Sequence, residues 1–414
     1  MPPHLSHRAP RQAGFTLVEL LVSLGVTVIL LLGVLALFDF NNRIARVQTH
    51  VADMQQSLRV AQYDMVRLVR MAGRGGLPAS EPAGLAPRNL PTGVAVEVRD
   101  DVPAATFMLP AEPTTRILAG TDVLTVRGVI STPLYQINTT AIGALVFTPN
   151  DQNPTDGTLV IQDRSPTGVP QTLQPLQAAI DANRPEALLL VSPLDDAVFA
   201  VVELVPAGSS VANGQATLNF RVTGSAESNA MGFLSSGGRF PPGLRVAYAG
   251  ILEEYRYYVR EEHVVPANLA SDLAPKLSRA RFLPGTQIVY AGDNANAAVD
   301  VADNIMDLQV ALGVDLDGNG LIEDLGTAAD EWLFNHEDDM DDPEYWQVSP
   351  VNPARLHYVR VATLVQTDRR DPQYQGPPLV RLENRNYDPS FNTRESRMYR
   401  RRTLQTVVDL RNVA

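Results

Sequence analysis

Residues Phe15 to Phe38 form a run of 24 in which Glu19 is the only charged side chain. No other feature restricts the fold of this chain as much. At 1.5 Å per residue, a helix of that length spans about 36 Å, enough to cross a hydrocarbon core of about 30 Å with some tilt. A carboxylate inside such a run is costly in lipid, so Glu19 needs a reason to be there. The preceding stretch, MPPHLSHRAPRQAG, carries Arg8 and Arg11 and no acid. That is the flank expected on the cytoplasmic side of a membrane helix. Three readings compete. A secretory signal peptide has a shorter apolar region followed by a small-residue cleavage site; here the run is long and the small residue, Gly14, precedes it. A plain signal anchor fits the length and charge but leaves Glu19 unexplained. The third reading is a leader cut ahead of the apolar run.

Beyond Phe38 the pattern changes without stopping. Ile44, Val47, Val51, Met54, Leu58, Ala61, Met65 and Leu68 recur at alternating intervals of three and four, an apolar helical stripe. No proline occurs from Arg11 to Leu77, and GRGG at Gly73–Gly76 followed by Pro78 is a stop signal. The spacing predicts one helix from Phe15 to Ala72, roughly 85 Å long. Its first half is apolar nearly all round and its second half is one-sided. Such a stripe either packs on the chain's own head or forms a coiled coil, since the spacing is also heptad-like. Gly25 and Gly33 are the positions where the apolar half could bend.

The stretch GFTLVELLVSLGV resembles the class III signal of type IV pilins and type II secretion pseudopilins, with Gly14, Phe15 and Glu19 in the family's register. The resemblance implies that a prepilin peptidase cuts between Gly14 and Phe15 and methylates the new amino group. It also implies that Glu19 faces the N-terminal ammonium of a neighbouring subunit in the assembled filament. A lone charge in hydrocarbon is costly and a paired one much less so, so the glutamate would favour docking in one register.

From Leu77 onward the sequence is strand-like. Val94–Asp100, Asp122–Gly128, Thr158–Asp163, Ala187–Ser192, Val198–Val205 and Thr217–Val222 are short apolar or alternating runs punctuated by proline, glycine and asparagine. Leu173–Ala187 is expected to hold a short helix. A break falls near SSGGRFPPG (Ser235–Gly243), and the strands then lengthen: Leu244–Arg260, Ile305–Asp315, Leu356–Thr367 and Arg400–Leu410. Met306, Leu308, Val310, Leu312 and Val314 alternate on one predicted face. These four strands are expected to form an antiparallel sheet that receives the helix stripe. The stretch from DLQVALGVDLDGNG through VVDLRN resembles the C-terminal half of PilW-type minor pilins. The expectation is an α+β chain: a leader at 1–14, a transmembrane and spine helix at 15–72, an inserted β-rich lobe at 73–242, and a pilin-like β-sheet head at 243–414.

One loop of the head has pointed chemistry. In DLDGNGLIED, the oxygens of Asp315, Asp317, Asn319, the Leu321 carbonyl and Glu323 fall at positions 1, 3, 5, 7 and 9 of an EF-hand-type loop, with Gly320 at position 6. Position 12 is Gly326 instead of the bidentate glutamate, and a strand rather than a helix precedes the loop. The pattern is closer to shorter calcium loops on β scaffolds, completed by another residue such as Asp324, Asp330 or Glu331. Hard cations prefer clustered oxygens, so calcium is the expected cofactor; the alternative is an acidic turn without metal. NHEDDMDDPEYW (Asn335–Trp346) is a solvated loop, a partner-facing patch, or a second ion site that includes His336.

Other classes are disfavoured. The net charge of −12 argues against a nucleic-acid footprint. The absence of cysteine excludes thiolate catalysis, cysteine-ligated zinc and disulfides, but does not exclude an extracytoplasmic location. His4 and His7 lie in the leader and His50 on the helix; His263, His336 and His357 have no nucleophile elbow beside them. GRGG lacks the lysine of a phosphate loop. The chain is therefore not expected to be an enzyme. The resemblance implies a minor pilin that initiates pilus assembly or forms the tip, and through the pilus serves adhesion and motility. It would be anchored in the inner membrane with its head in the periplasm. Its implied partners are other minor and major pilins, the prepilin peptidase and a tip adhesin. The alternatives are a J-type pseudopilin and a membrane-anchored periplasmic binding domain.

Overall fold

The proline-free stretch becomes a single helix, α1 (Leu17–Val69), in a computed structural model that describes residues 16–77, 95–102, 116–137, 145–146, 157–184, 186–191, 199–221, 246–263, 273–285, 298–315, 319–325, 331–336 and 355–410. The leader, with Gly14 and Phe15, lies outside the described residues, as do Asp317, Asp330, all of the acidic stretch after His336, and the expected break at 235–243. The chain divides into two units, Met1–Asp53 and Met54–Ala414. In the first, the large apolar side chains from Leu17 to Phe40 are exposed. In the second, Met54, Leu58, Ala61, Met65 and Leu68 are buried, so the expected stripe packs within the chain's own head from Met54 onward. The earlier positions are less covered: Val47 and Val51 are half-buried and Ile44 is exposed.

The head is built of strands. In chain order they are β1 (Val96–Arg99), β2 (Arg116–Ile117), β3 (Val123–Gly128), β4 (Tyr135–Gln136), β5 (Leu145–Val146), β6 (Gly157–Gln162), β7 (Glu186–Val191), β8 (Phe199–Ala212) and β9 (Gln215–Arg221). The long β10 (Tyr248–His263) follows, then β11 (Leu273–Phe282), β12 (Ala298–Asp303), β13 (Ile305–Asp315), β14 (Trp332–Leu333), β15 (Arg355–Gln366), β16 (Arg381–Leu382), β17 (Arg385–Asn386) and β18 (Arg401–Asp409). A second helix, α2 (Gln174–Asp181), lies inside the stretch expected to hold one and buries Leu176 and Ala179.

Twelve strands form one antiparallel sheet with the path β1-β3-β10-β7-β8-β9-β6-β5; β2, β4 and β11 also pair with β10, and β12 pairs with β11. β10 changes partners along its length: Tyr248–Leu252 pairs with β7, Glu253–Tyr257 with β3, and Glu254–His263 with β11 on the opposite edge. It thus joins two regions of sheet, each with its own core. One gathers Leu159, Leu188, Val202, Leu218, Phe220 and Ile251; the other gathers Val102, Ile117, Tyr258 and Phe282. Where β10 changes partners, charges are buried. Glu254 accepts from Arg127 Nε at 2.6 Å, Arg256 Nε at 2.7 Å and Gly285 N at 2.7 Å, and Arg127 also pairs with Glu97. Burial pushes the Glu254 carboxyl up, but Arg127 and Arg256 outweigh this and hold it below the ordinary carboxylate range.

The second sheet has the order β14-β13-β15-β18. This corrects the expected four-strand sheet: Ile305–Asp315, Leu356–Thr367 and Arg400–Leu410 pair as anticipated, but the strand after Gly243 joins the large sheet instead. β10 pairs along ten residues with β11 and along five each with β3 and β7, while the fourth place in the small sheet goes to two-residue β14. The large sheet therefore draws strands from both sides of residue 242. Met306 is a second correction. A register shift between Ile305 and Asp307 turns it away from Leu308, to pack with Leu364, Leu382, Tyr387 and Phe391 on the opposite face.

Candidate functional site

At the start of α1, the backbone N–H and hydroxyl of Thr16 both donate to Glu19 Oε2 at 3.0 Å, and Glu19 N donates back to Thr16 Oγ1 at 3.3 Å. This is a reciprocal capping box: the glutamate satisfies a helix-terminal N–H that has no intrahelical partner. Thr-x-x-Glu ahead of an apolar run is its signature, and Thr16 is the residue sequence reasoning missed here. Among the described residues Glu19 Oε1 has no hydrogen-bond partner, so capping leaves one carboxylate oxygen available to another group.

The other end of α1 is fixed to both sheets. Gln62 Nε2 donates to Thr363 Oγ1 at 3.0 Å on β15 and to the Leu404 carbonyl at 3.3 Å on β18. Asp64, nearly opposite on the helix, accepts from Tyr257 Oη at 2.8 Å and from Arg279 Nη1 at 2.7 Å. Thr363 stands opposite Leu308 in the ladder, so the face formed by Leu308, Val361 and Thr363 is the one toward the helix. The helix ends at Val69, three residues before the expected Ala72, and a turn carries the chain into the glycines. Gly73, Gly75 and Gly76 have φ of 71°, 103° and 84°, and Gly73 N donates to the Arg127 carbonyl, tying the end of the helix to β3. A Cβ at Gly75 would meet Val129 Cγ2 at 2.8 Å, and one at Gly76 would meet Val191 Cγ1 at 2.9 Å. This junction has no room for another residue type.

The acidic loop follows β13. Asp315 is buried at the strand end and its Oδ2 accepts from Gly320 N at 2.9 Å; Asn319 Oδ1 accepts from Leu321 N at 2.6 Å. Glu323 and Glu331 are joined through their backbones, and Glu331 Oε2 accepts from Glu323 N at 3.1 Å. Asp324 is committed to an ion pair with Arg360 at 2.8 Å. Leu321 is exposed and Gly320 has φ of 80°, the left-handed turn that glycine permits. The described side chains of the expected set offer hard oxygens, the donor chemistry that calcium takes. Among the described residues no three acids or histidines come together as a metal-binding group, and Asp317, central to the expected set, lies outside them.

Comparison with known families places both ends of the chain. Residues 9–35 match the prokaryotic N-terminal methylation motif, and residues 256–412 match the type IV pilus-assembly protein W family, PilW. No curated protein and no solved structure matches. Among the described residues α1 is the one helix long and apolar enough to cross a membrane, and with the signal motif it fits a membrane-anchored pilin. A pilus context brings in the prepilin peptidase and other pilus components. With a methylation motif leading into one long helix and a PilW region ending the head, the chain is a PilW-type, pilin-like protein related to the type IV pilus.

Proposed function

We propose that the chain is a minor pilin, a structural subunit and not an enzyme, which helps initiate assembly of a type IV pilus or forms its tip. The supporting observation is the pairing on one chain of a methylation motif with a PilW region, joined to a helix whose exposed apolar part precedes a part anchored in the head. The prepilin peptidase removes residues 1–14 and methylates Phe15, the apolar part of α1 resides in the inner membrane, and the head stands in the periplasm before entering the extracellular pilus. Neighbouring major and minor pilins, and a tip adhesin, are its partners, and adhesion and motility follow from the pilus. Glu19 meets the ammonium of a neighbouring subunit while Thr16 holds the carboxylate at the helix start. Glu19→Ala should leave membrane insertion intact, because a charge leaves the hydrocarbon, and should deplete the subunit from sheared pili. Normal pili containing the variant would overturn the pairing role. Co-purification of the native subunit with a secretion machine, and not with pili, would favour the J-type pseudopilin.

We also propose that Asp315, Asp317, Asn319, the Leu321 carbonyl and Glu323 hold calcium, with Glu331 completing the shell in place of Asp324, which is taken up by Arg360. The role of the ion is to fix the loop after β13. Binding to the folded state alone stabilises by about 2.7 kcal/mol at a hundredfold excess over Kd, so added calcium should raise the melting temperature of the full chain in detergent by a few degrees. Magnesium should do less, because it demands a tighter octahedral shell. Asp317→Ala should abolish the response. Calorimetric titration at millimolar calcium giving neither heat nor a thermal shift would reduce the loop to an acidic turn.

A further inference from the structure

We propose that a cleft beside the start of β18 binds an acidic side chain of a partner polypeptide, with its carboxylate over the guanidinium of Arg401. The cleft has a volume of about 130 Å³ and is walled by Tyr374, Pro377, Leu379, Arg397, Tyr399 and Arg401; no aspartate or glutamate lines it. In a chain of net charge −12 this is an unusual surface, and the segment Thr393–Arg402 beside it carries five arginines and one acid.

The condition of Arg401 carries the argument. Three nearby arginines have a counter-charge: Arg360 pairs with Glu383 at 2.7 Å, Arg385 with Asp307 at 3.0 Å and Arg400 with Asp371 at 3.3 Å. Arg397 spends its Nε on the Gly376 carbonyl at 2.8 Å, which fixes one wall of the cleft. Among the described residues, the Arg401 side chain has neither an acid nor a hydrogen bond. Its Nε and Nη1 are buried without a partner, and its guanidinium lies over the Phe391 ring, 4.5 Å from the centroid. Burial weakens its hold on its proton relative to an ordinary arginine. The fold has thus taken a cation largely out of water without neutralising it, a costly arrangement unless an anion arrives. An oxyanion entering the cleft would supply the missing charge where screening is weak.

Size and walls select among anions. The cleft, of about 130 Å³, has room for a carboxylate and its methylene stem. The tyrosine, proline and leucine walls offer that stem apolar cover, which a bare inorganic anion would not use. In the ladder Thr403 stands opposite Leu364 and is exposed, so it sits at the cleft mouth on the same face as Arg401.

The test uses the full chain in detergent and a fluorescein-labelled hexaglutamate peptide, with binding read by anisotropy; it is independent of the pilus assignment. The wild-type chain should bind the peptide, and more weakly as salt is raised. Arg401→Gln should weaken binding about tenfold or more, the effect of removing one charge-assisted partner. Thr403→Glu, which leaves Arg401 and its packing on Phe391 in place, should weaken it similarly. Arg59→Gln, an equal change of charge on the exposed face of α1, should leave it unchanged. Absence of binding to wild type, equal binding by all three variants, or equal binding of a hexaglutamine peptide would overturn the proposal. Displacement by inorganic phosphate at concentrations equal to those of the peptide would overturn the polypeptide assignment in favour of a free oxyanion.

Discussion

At the scale of single residues, two glutamates show charge placed against a defined partner. Glu19 caps its own helix through Thr16, which gives a local reason for the carboxylate besides the one implied by the pilin signal. The motif was legible in the sequence as Thr-x-x-Glu, but a glutamate read for its intermolecular role hides its intrahelical one. Glu254 is the reverse case: nothing in its neighbourhood, EEYRYYVR, says that it will be fully buried between Arg127 and Arg256, because Arg127 lies on a strand far away in sequence. Its lowered proton affinity contributes stability that is present above the ordinary glutamate value and is lost as pH falls through the depressed one. Glu254→Gln should therefore cost about 3–5 kcal/mol at neutral pH, by leaving a buried guanidinium short of charge, and should flatten the acid limb of a melting-temperature profile. An unchanged acid limb would show that the network carries none of the acid sensitivity.

At the scale of elements, periodicity was the dependable guide. The intervals from Met54 to Leu68, the GRGG stop and the strands β3, β6, β7, β9, β13, β15 and β18 are all legible in the sequence, because each is a local pattern of apolar spacing or of chain-breaking residues. The helix stripe should accordingly be the energetic link between α1 and the head. Met65 is fully buried, so Met65→Ala should cost about 2–5 kcal/mol by thermal or denaturant unfolding. An equal substitution at exposed Val60 should cost far less; comparable losses at both sites would contradict the assignment of the packed face. What periodicity could not supply was sheet membership. β10 is long enough for either sheet, and its place is set by strands distant in sequence, β3, β7 and β11. The bulge at Met306 likewise arises from pairing with β15, so strict alternation placed that residue on the wrong face.

At the scale of the whole molecule, the two sequence features that mark its class lie at opposite ends of the chain. The methylation motif spans residues 9–35 and the PilW region residues 256–412. The strands before β10 fall outside both matches, yet β10 hydrogen bonds to β3 and β7, so the unmatched part and the PilW region share one sheet. That union was not legible in the sequence, where glycine and proline near residue 240 read as a break and a composition change carries no information about which strands later pair across it. The central claim is that this chain is processed and assembled as a pilin. Intact-mass and N-terminal peptide mass spectrometry of the protein recovered from cell membranes tests it most directly. The account predicts a mature chain that begins at Phe15 with a methylated amino group; a chain that retains Arg8 and Arg11, or one cut after Phe38, would contradict it.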